Sequence, residues 1–272
     1  MGRKRLKKAL VIMTVLAMML ASAVPSFAAS GESEADLIAK YGTYDGKNAK
    51  KIAVLAYHNV VTDASKAKNS SSIVISASKF RKQMKYLHDR GYRTISCDEL
   101  YLWHEGKIKL PKRSVLITFD NGLAGVPRNA LPILREYDMK ATCFLVGSWT
   151  YNGGKKYISY EQMKKLQETS PELDFQSHTY DLHKQLKEKG SYSKVLADAT
   201  IMKELYDSPE YLAYPYGTYT KGMIKAYKKI GIKMCFTYGD DGYATKKQDL
   251  YKIKRISVNG NASLKRFKKW FK

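Results

Sequence analysis

The chain has 272 residues, 44% hydrophobic and 27% charged, with a formal net charge of +23. That is enough apolar material to bury the core of one sizeable domain or two small ones. Its three cysteines, Cys97, Cys143 and Cys235, are odd in number and far apart, which argues against a disulfide framework and a zinc–cysteine site. The positive charge comes with no nucleic-acid module, so nucleic acid is not an expected partner.

Arg3, Lys4, Arg5, Lys7 and Lys8 precede an apolar run from Ala9 to Val24, and Ser26-Phe27-Ala28 offers small residues where a signal peptidase reads them. Residues 1–28 are therefore expected to be a cleavable secretory signal; the rival, an uncleaved membrane anchor, has a short run to work with. Cleavage removes five cations and leaves a formal charge of about +18. Outside a cell such a chain is expected to meet an anionic cell-wall or membrane surface.

Residues 29–49 are polar and weakly periodic and read as a linker. Beyond them short apolar runs alternate with amphipathic segments. Strands are predicted over 52–57, 92–96, 115–119, 141–146, 173–177, 211–214, 232–238 and 251–258. Helices are predicted over 78–90, 97–105, 129–138, 160–168, 193–206 and 221–230, with Gly91 and Gly231 just past two of their ends. Strands alternating with helices imply a mostly parallel sheet, wound open or closed as a barrel. Cys143 and Cys235 fall inside strand-like runs, as small core residues do. Residues 259–272 form a basic, aromatic tail, either touching an anionic surface or solvated.

Three strand ends carry polar residues, and in parallel α/β architectures that edge is where sites are built. The first is Thr118-Phe119-Asp120-Asn121-Gly122, where Asp120 reads as a turn or cap residue or as a base. The second is His178-Thr179-Tyr180-Asp181-Leu182-His183; the chain has only five histidines, so two this close are informative, and imidazole suits zinc, cobalt or nickel. The third is Ala213-Tyr214-Pro215-Tyr216-Gly217, a turn whose Tyr rings either pack or wall a cleft.

In this order the three segments resemble the motifs of the polysaccharide deacetylase, or NodB-homology, family. Ala130-Leu131-Pro132-Ile133-Leu134, Ala141 to Gly147 and Tyr57-His58-Asn59-Val60 extend the likeness, in a branch resembling poly-N-acetylglucosamine deacetylases, over roughly residues 51 to 258. The resemblance implies a distorted (β/α) barrel, a single domain over 50–258, and metal-dependent removal of N-acetyl groups from an N-acetylated polysaccharide. It implies that Asn121, His178 and His183 hold a divalent metal, zinc first with cobalt or nickel as alternatives, and that Asp120 is the general base. It also puts Tyr214, Pro215, Tyr216 and Arg255 against the substrate. Two departures stand out. Asn121 replaces the family's second Asp, and a neutral amide oxygen binds a divalent cation more weakly than a carboxylate. The late motif, Arg255-Ile256-Ser257-Val258, lacks the family's acid His; His58 serves instead, or is a strand-end His bonded locally. A catalytically impaired carbohydrate- or wall-binding relative is the alternative these departures leave open.

Overall fold

The computed structural model describes residues 33–62, 72–184 and 190–272, which belong to one compact unit, Glu32–Lys272. The expected signal peptide lies outside the described residues.

Five-residue apolar runs such as Ala53–Tyr57 (β1) and Ala141–Leu145 (β6) are buried at every position, the pattern of strands covered on both faces. With them go β4 (Arg93–Thr94), β5 (Ser114–Asp120), β7 (Leu173–Ser177), β8 (Tyr211–Ala213), β9 (Met234–Phe236) and β10 (Ile256–Ser257). All pair in parallel, in the order β10-β1-β5-β6-β7-β8-β9, while β4 covers the start of β5. The two sheet ends meet through Ile253. Its N–H donates to the Cys235 carbonyl at 3.0 Å and its carbonyl accepts from the Thr237 N–H at 2.9 Å. The sheet thus curls into a distorted (β/α) barrel, as the resemblance implied. A short parallel pair, β2 (Asn59–Val61) with β3 (Val74–Ser76), lies apart from it.

Side-chain alternation sorts the strand residues into layers. Val115, Ile117 and Phe119 of β5 face outward into a cluster shared with helices α2 (Ala77–Asp89) and α4 (Leu131–Glu136). Leu116 faces inward with Val54, Phe144, Ala213 and Phe236, and the same parity sends Thr118 and Asp120 inside. Helices α1 (Glu34–Tyr41) and α3 (Cys97–His104) contribute Leu37, Leu100 and Trp103 to that inner cluster. Helix α5 (Gly147–Asn152) follows β6, α6 (Tyr160–Thr169) precedes β7, and α7 (Tyr192–Leu205) and α8 (Lys221–Lys229) pack together beside β8 and β9.

Three sequence expectations need correction. The linker, 29–49, instead carries α1, begun by a capping box from Ser33 and Asp36 and held by Leu37; farther on, Asn48 and Ala49 accept from the Trp103 indole N–H. The basic tail, 259–272, forms α9 (Leu264–Lys268), and its buried Phe267 and Phe271 pack on Tyr86 and Tyr92. Burying two such rings outweighs the tail's charge, at roughly 1.5–3 kcal/mol each. The strand predicted over 251–258 shrinks to β10, because the chain pairs with β9 at Ile253 and then turns to pair with β1 at Ile256.

Candidate active site

Because every barrel strand runs the same way, all the strand ends meet at one mouth. Ala56 and Tyr57 of β1 stand in register with Thr118 and Phe119 of β5, so the next residues, His58 and Asp120, leave adjacent strands together. Next to β5, β6 leads into α5, β7 into His178, and β8 into Tyr214-Pro215-Tyr216.

Asp120 is buried, and both its oxygens accept from one guanidinium: Arg255 Nη1 to Oδ1 and Nη2 to Oδ2, each at 2.7 Å. The same guanidinium donates from Nε to the Thr237 carbonyl at 2.8 Å and from Nη1 to Thr118 Oγ1 at 3.1 Å. Burial pushes the Asp120 carboxyl up, but the Arg255 guanidinium, helped by His178, outweighs it and holds the group well below the usual carboxylate range. Arg255 is fully buried, and its guanidinium is engaged by Asp120, Thr118 and Thr237. It stands just before β10, where the two sheet ends meet.

His178 is buried directly after β7, with its Nδ1 2.7 Å from the Ala213 carbonyl oxygen. A carbonyl only accepts, so Nδ1 carries the proton and Nε2 keeps its lone pair. Burial lowers this imidazole to about 3, overcoming Asp120, which raises it. The His183 ring lies 5.1 Å from that of His178, centroid to centroid, and burial lowers it to about 4. Both are neutral at physiological pH, the form that ligates metals.

The loop between them is held from several sides. The His178 N–H donates to the Leu145 carbonyl, and the carbonyls of Thr179 and Tyr180 accept from the first N–H groups of α5, Gly147 and Ser148. Asp198 of α7 accepts from the N–H groups of Tyr180 and Asp181 at 2.8 and 2.7 Å. Gly147 is needed for this approach: a Cβ there would lie 2.6 Å from the Tyr180 ring.

Asn121 takes φ +77°, a left-handed conformation that Asn tolerates better than most residues. Its Oδ1 is buried with no hydrogen-bond partner. An orphaned buried acceptor is costly unless something outside the polypeptide meets it. Among the described residues no group of three or more His, Cys, Asp or Glu is placed to hold a metal; the third donor offered here is an amide, outside that set. Nε2 of His178, the ring of His183 and the bare Oδ1 of Asn121 are neutral donors that suit zinc, cobalt or nickel better than a hard cation.

The remaining expected residues divide. His58 is half-buried, stacks edge-on against Tyr238 at 5.3 Å, and is lowered by burial while Asp120 raises it, so it belongs to the site. Tyr216, at φ +57°, reaches His183, its hydroxyl 3.5 Å from Nδ1, and is about half exposed, as a cleft wall must be. Tyr214 and Pro215 are buried, Tyr214 against Tyr219 and Tyr227, and support the turn from within. The turn also needs Gly217, where a Cβ would collide with the Tyr238 carbonyl oxygen. Sequence reading missed Trp149, whose indole packs on His183 at 4.6 Å and on Tyr157 at 4.7 Å. Its one signal was an aromatic two residues past Gly147 at a strand end.

A polysaccharide deacetylase family model matches residues 107–235, a span that includes Asp120, Asn121, His178, His183 and the turn. A poly-β-1,6-N-acetyl-D-glucosamine N-deacetylase of Staphylococcus aureus is 31% identical over 228 residues, covering 78% of this chain and 77% of that protein. The chain belongs to the polysaccharide deacetylase family. The Streptococcus pyogenes deacetylase PplD, solved with acetate, superposes with a TM-score of 0.71 at 25% identity, over 80% of this chain and 97% of that one. IcaB of Ammonifex degensii does so with a TM-score of 0.64 at 26% identity, over 78% and 93%.

Proposed function

We propose that this protein is an extracellular, metal-assisted hydrolase that removes acetyl groups from a polymer of N-acetylglucosamine. The observation that carries the reading is the convergence, at one barrel mouth, of an ionised Asp120 with two neutral histidines and an unpaired amide oxygen. The similarity to a poly-N-acetylglucosamine deacetylase supports the choice of polymer.

His178, His183 and Asn121 would hold the cation, which when bound polarises the acetyl carbonyl and acidifies water. The rest of the chemistry falls to the chain. Asp120, kept ionised by Arg255, receives the proton of the attacking water on a carboxylate oxygen. As the water oxygen bonds to the carbonyl carbon and the C–N bond breaks, the departing nitrogen takes up a proton, which His58 supplies in its protonated form, the form that Asp120 favours. Acetate and a free sugar amine result. Tyr216 and Trp149, both packed on His183, offer a sugar ring aromatic faces to pack on. The expected signal peptide supports the extracellular setting.

The test is acetate release from poly-β-1,6-N-acetylglucosamine, with free amines counted in the same sample. Asp120→Asn, which leaves the buried Arg255 one acceptor instead of two and so costs stability, and His178→Ala should lose turnover by roughly a hundredfold or more at a temperature where both are folded. Full turnover in either variant removes that residue from the mechanism.

A further inference from the structure

A large hollow of the described protein lies away from the catalytic mouth. It is a cavity of about 1170 Å³ lined by Ala53 and Ser114, the first residues of β1 and β5, and so it opens at the opposite end of the barrel. Ser114 and Asp120 end the same strand, six residue steps apart, which sets the two openings about 20 Å from each other.

Lys50, Lys51, Arg90, Lys112, Arg113 and Lys272 are among the residues that line this cavity, and no Asp or Glu side chain is. All six are exposed, and none forms an ion pair among the described residues. Aromatic rings stand between them: Tyr44, Tyr92, Tyr243 and Trp270. Lys51 lies 3.7 Å above the Tyr243 ring, and the Tyr92 phenol feels both Arg113 and Arg90. A second hollow of about 560 Å³ shares Tyr243 and Trp270 and adds Lys265, Arg266 and Lys269. Together they form a basic track, walled by half-buried aromatics.

We propose that this track docks a linear phosphodiester polymer of sugars or polyols, and so holds the enzyme on an anionic matrix with its catalytic mouth free. Unpaired cations in a row attract a polyanion, and guanidinium groups match phosphate oxygens two at a time. The hollow shape selects a strand over a surface. A flat layer of lipid headgroups meets the rim cations, whereas a single chain also enters between the rings and lays its apolar faces on them. Two ends with two ligands would let the protein stay bound while a neutral acetylated glycan passes through the other end.

Titration of the purified protein with poly(glycerol phosphate) tests this. Binding is expected, weakening as salt is added. The triple variant R90Q/K112Q/R113Q should bind on the order of a hundredfold more weakly, the loss that three Lys or Arg contacts with an anionic surface carry. Its unfolding midpoint should not move, since these side chains hold no ion pair. Unchanged binding by the triple variant overturns the proposal. So does equal affinity for phosphatidylglycerol vesicles with the same dependence on the three residues, which would make the face a membrane surface. Equal affinity for a single-stranded oligonucleotide would reduce it to an unselective cationic patch.

Discussion

At the scale of single residues, the site is decided by how charge is distributed. Among the described residues of the mouth the buried carboxylate is Asp120, already committed on both oxygens to Arg255, and the three donors proposed for a cation are neutral. Asn121→Asp places a negative oxygen among them, and Coulomb attraction at bonding distance is large even in a solvated site. Zinc affinity measured by competition with a chelator should rise at least tenfold in this variant; an unchanged affinity would mean that position 121 does not face the cation. Arg255 holds the Asp120 carboxylate in place. Arg255→Met would strand a buried carboxylate and should cost about 3–5 kcal/mol of stability, whereas Arg255→Lys should recover only part of it, since an ammonium cannot make the two-pronged contact. Denaturant midpoints of the two variants check this ordering, and equal midpoints would contradict it.

At the scale of elements, the histidine loop depends on α7. Burial raises the Asp198 carboxyl to about 6, against the N–H groups of Asp181 and Tyr180, which lower it. A carboxyl raised above its unfolded value of 3.8 favours folding in its neutral form. Its contribution is fully present below pH 3.8 and is lost as the pH rises through about 6, by at most about 3 kcal/mol. Asp198→Asn should therefore remove that slope. The stability of the natural chain relative to the variant should climb between pH about 6 and 4 and stay level above 7; a difference that is flat across this range refutes the assignment. Most elements could be read from the sequence, because buried runs and caps are local signals: β7 falls where its alternation predicts, and Ser76 and Gly91 bracket α2. The helix α1 and the tail helix α9 could not, since each is short and polar and is fixed by contacts with distant residues, Leu37 within the inner cluster and Phe271 on Tyr92.

At the scale of the whole molecule, parallel strands give the barrel two unlike ends, a catalytic mouth and a basic track. The mouth was legible where a motif is local, as with Asp120-Asn121 and the two histidines. The pairing of Arg255 with Asp120 and the place of Trp149 were not legible, because both lie across the barrel and no spacing in the chain announces a guanidinium on a carboxylate 135 residues away. On the proposed function the natural chain, with Asn121 in place, is an enzyme and not a glycan-binding relative that has lost its chemistry. Acetate release from poly-β-1,6-N-acetylglucosamine by the natural chain, supplied with one equivalent of zinc, tests that claim most directly. The account predicts acetate accumulating over many turnovers, faster in Asn121→Asp and absent in His178→Ala. Binding of the polymer without acetate from the natural chain would contradict it.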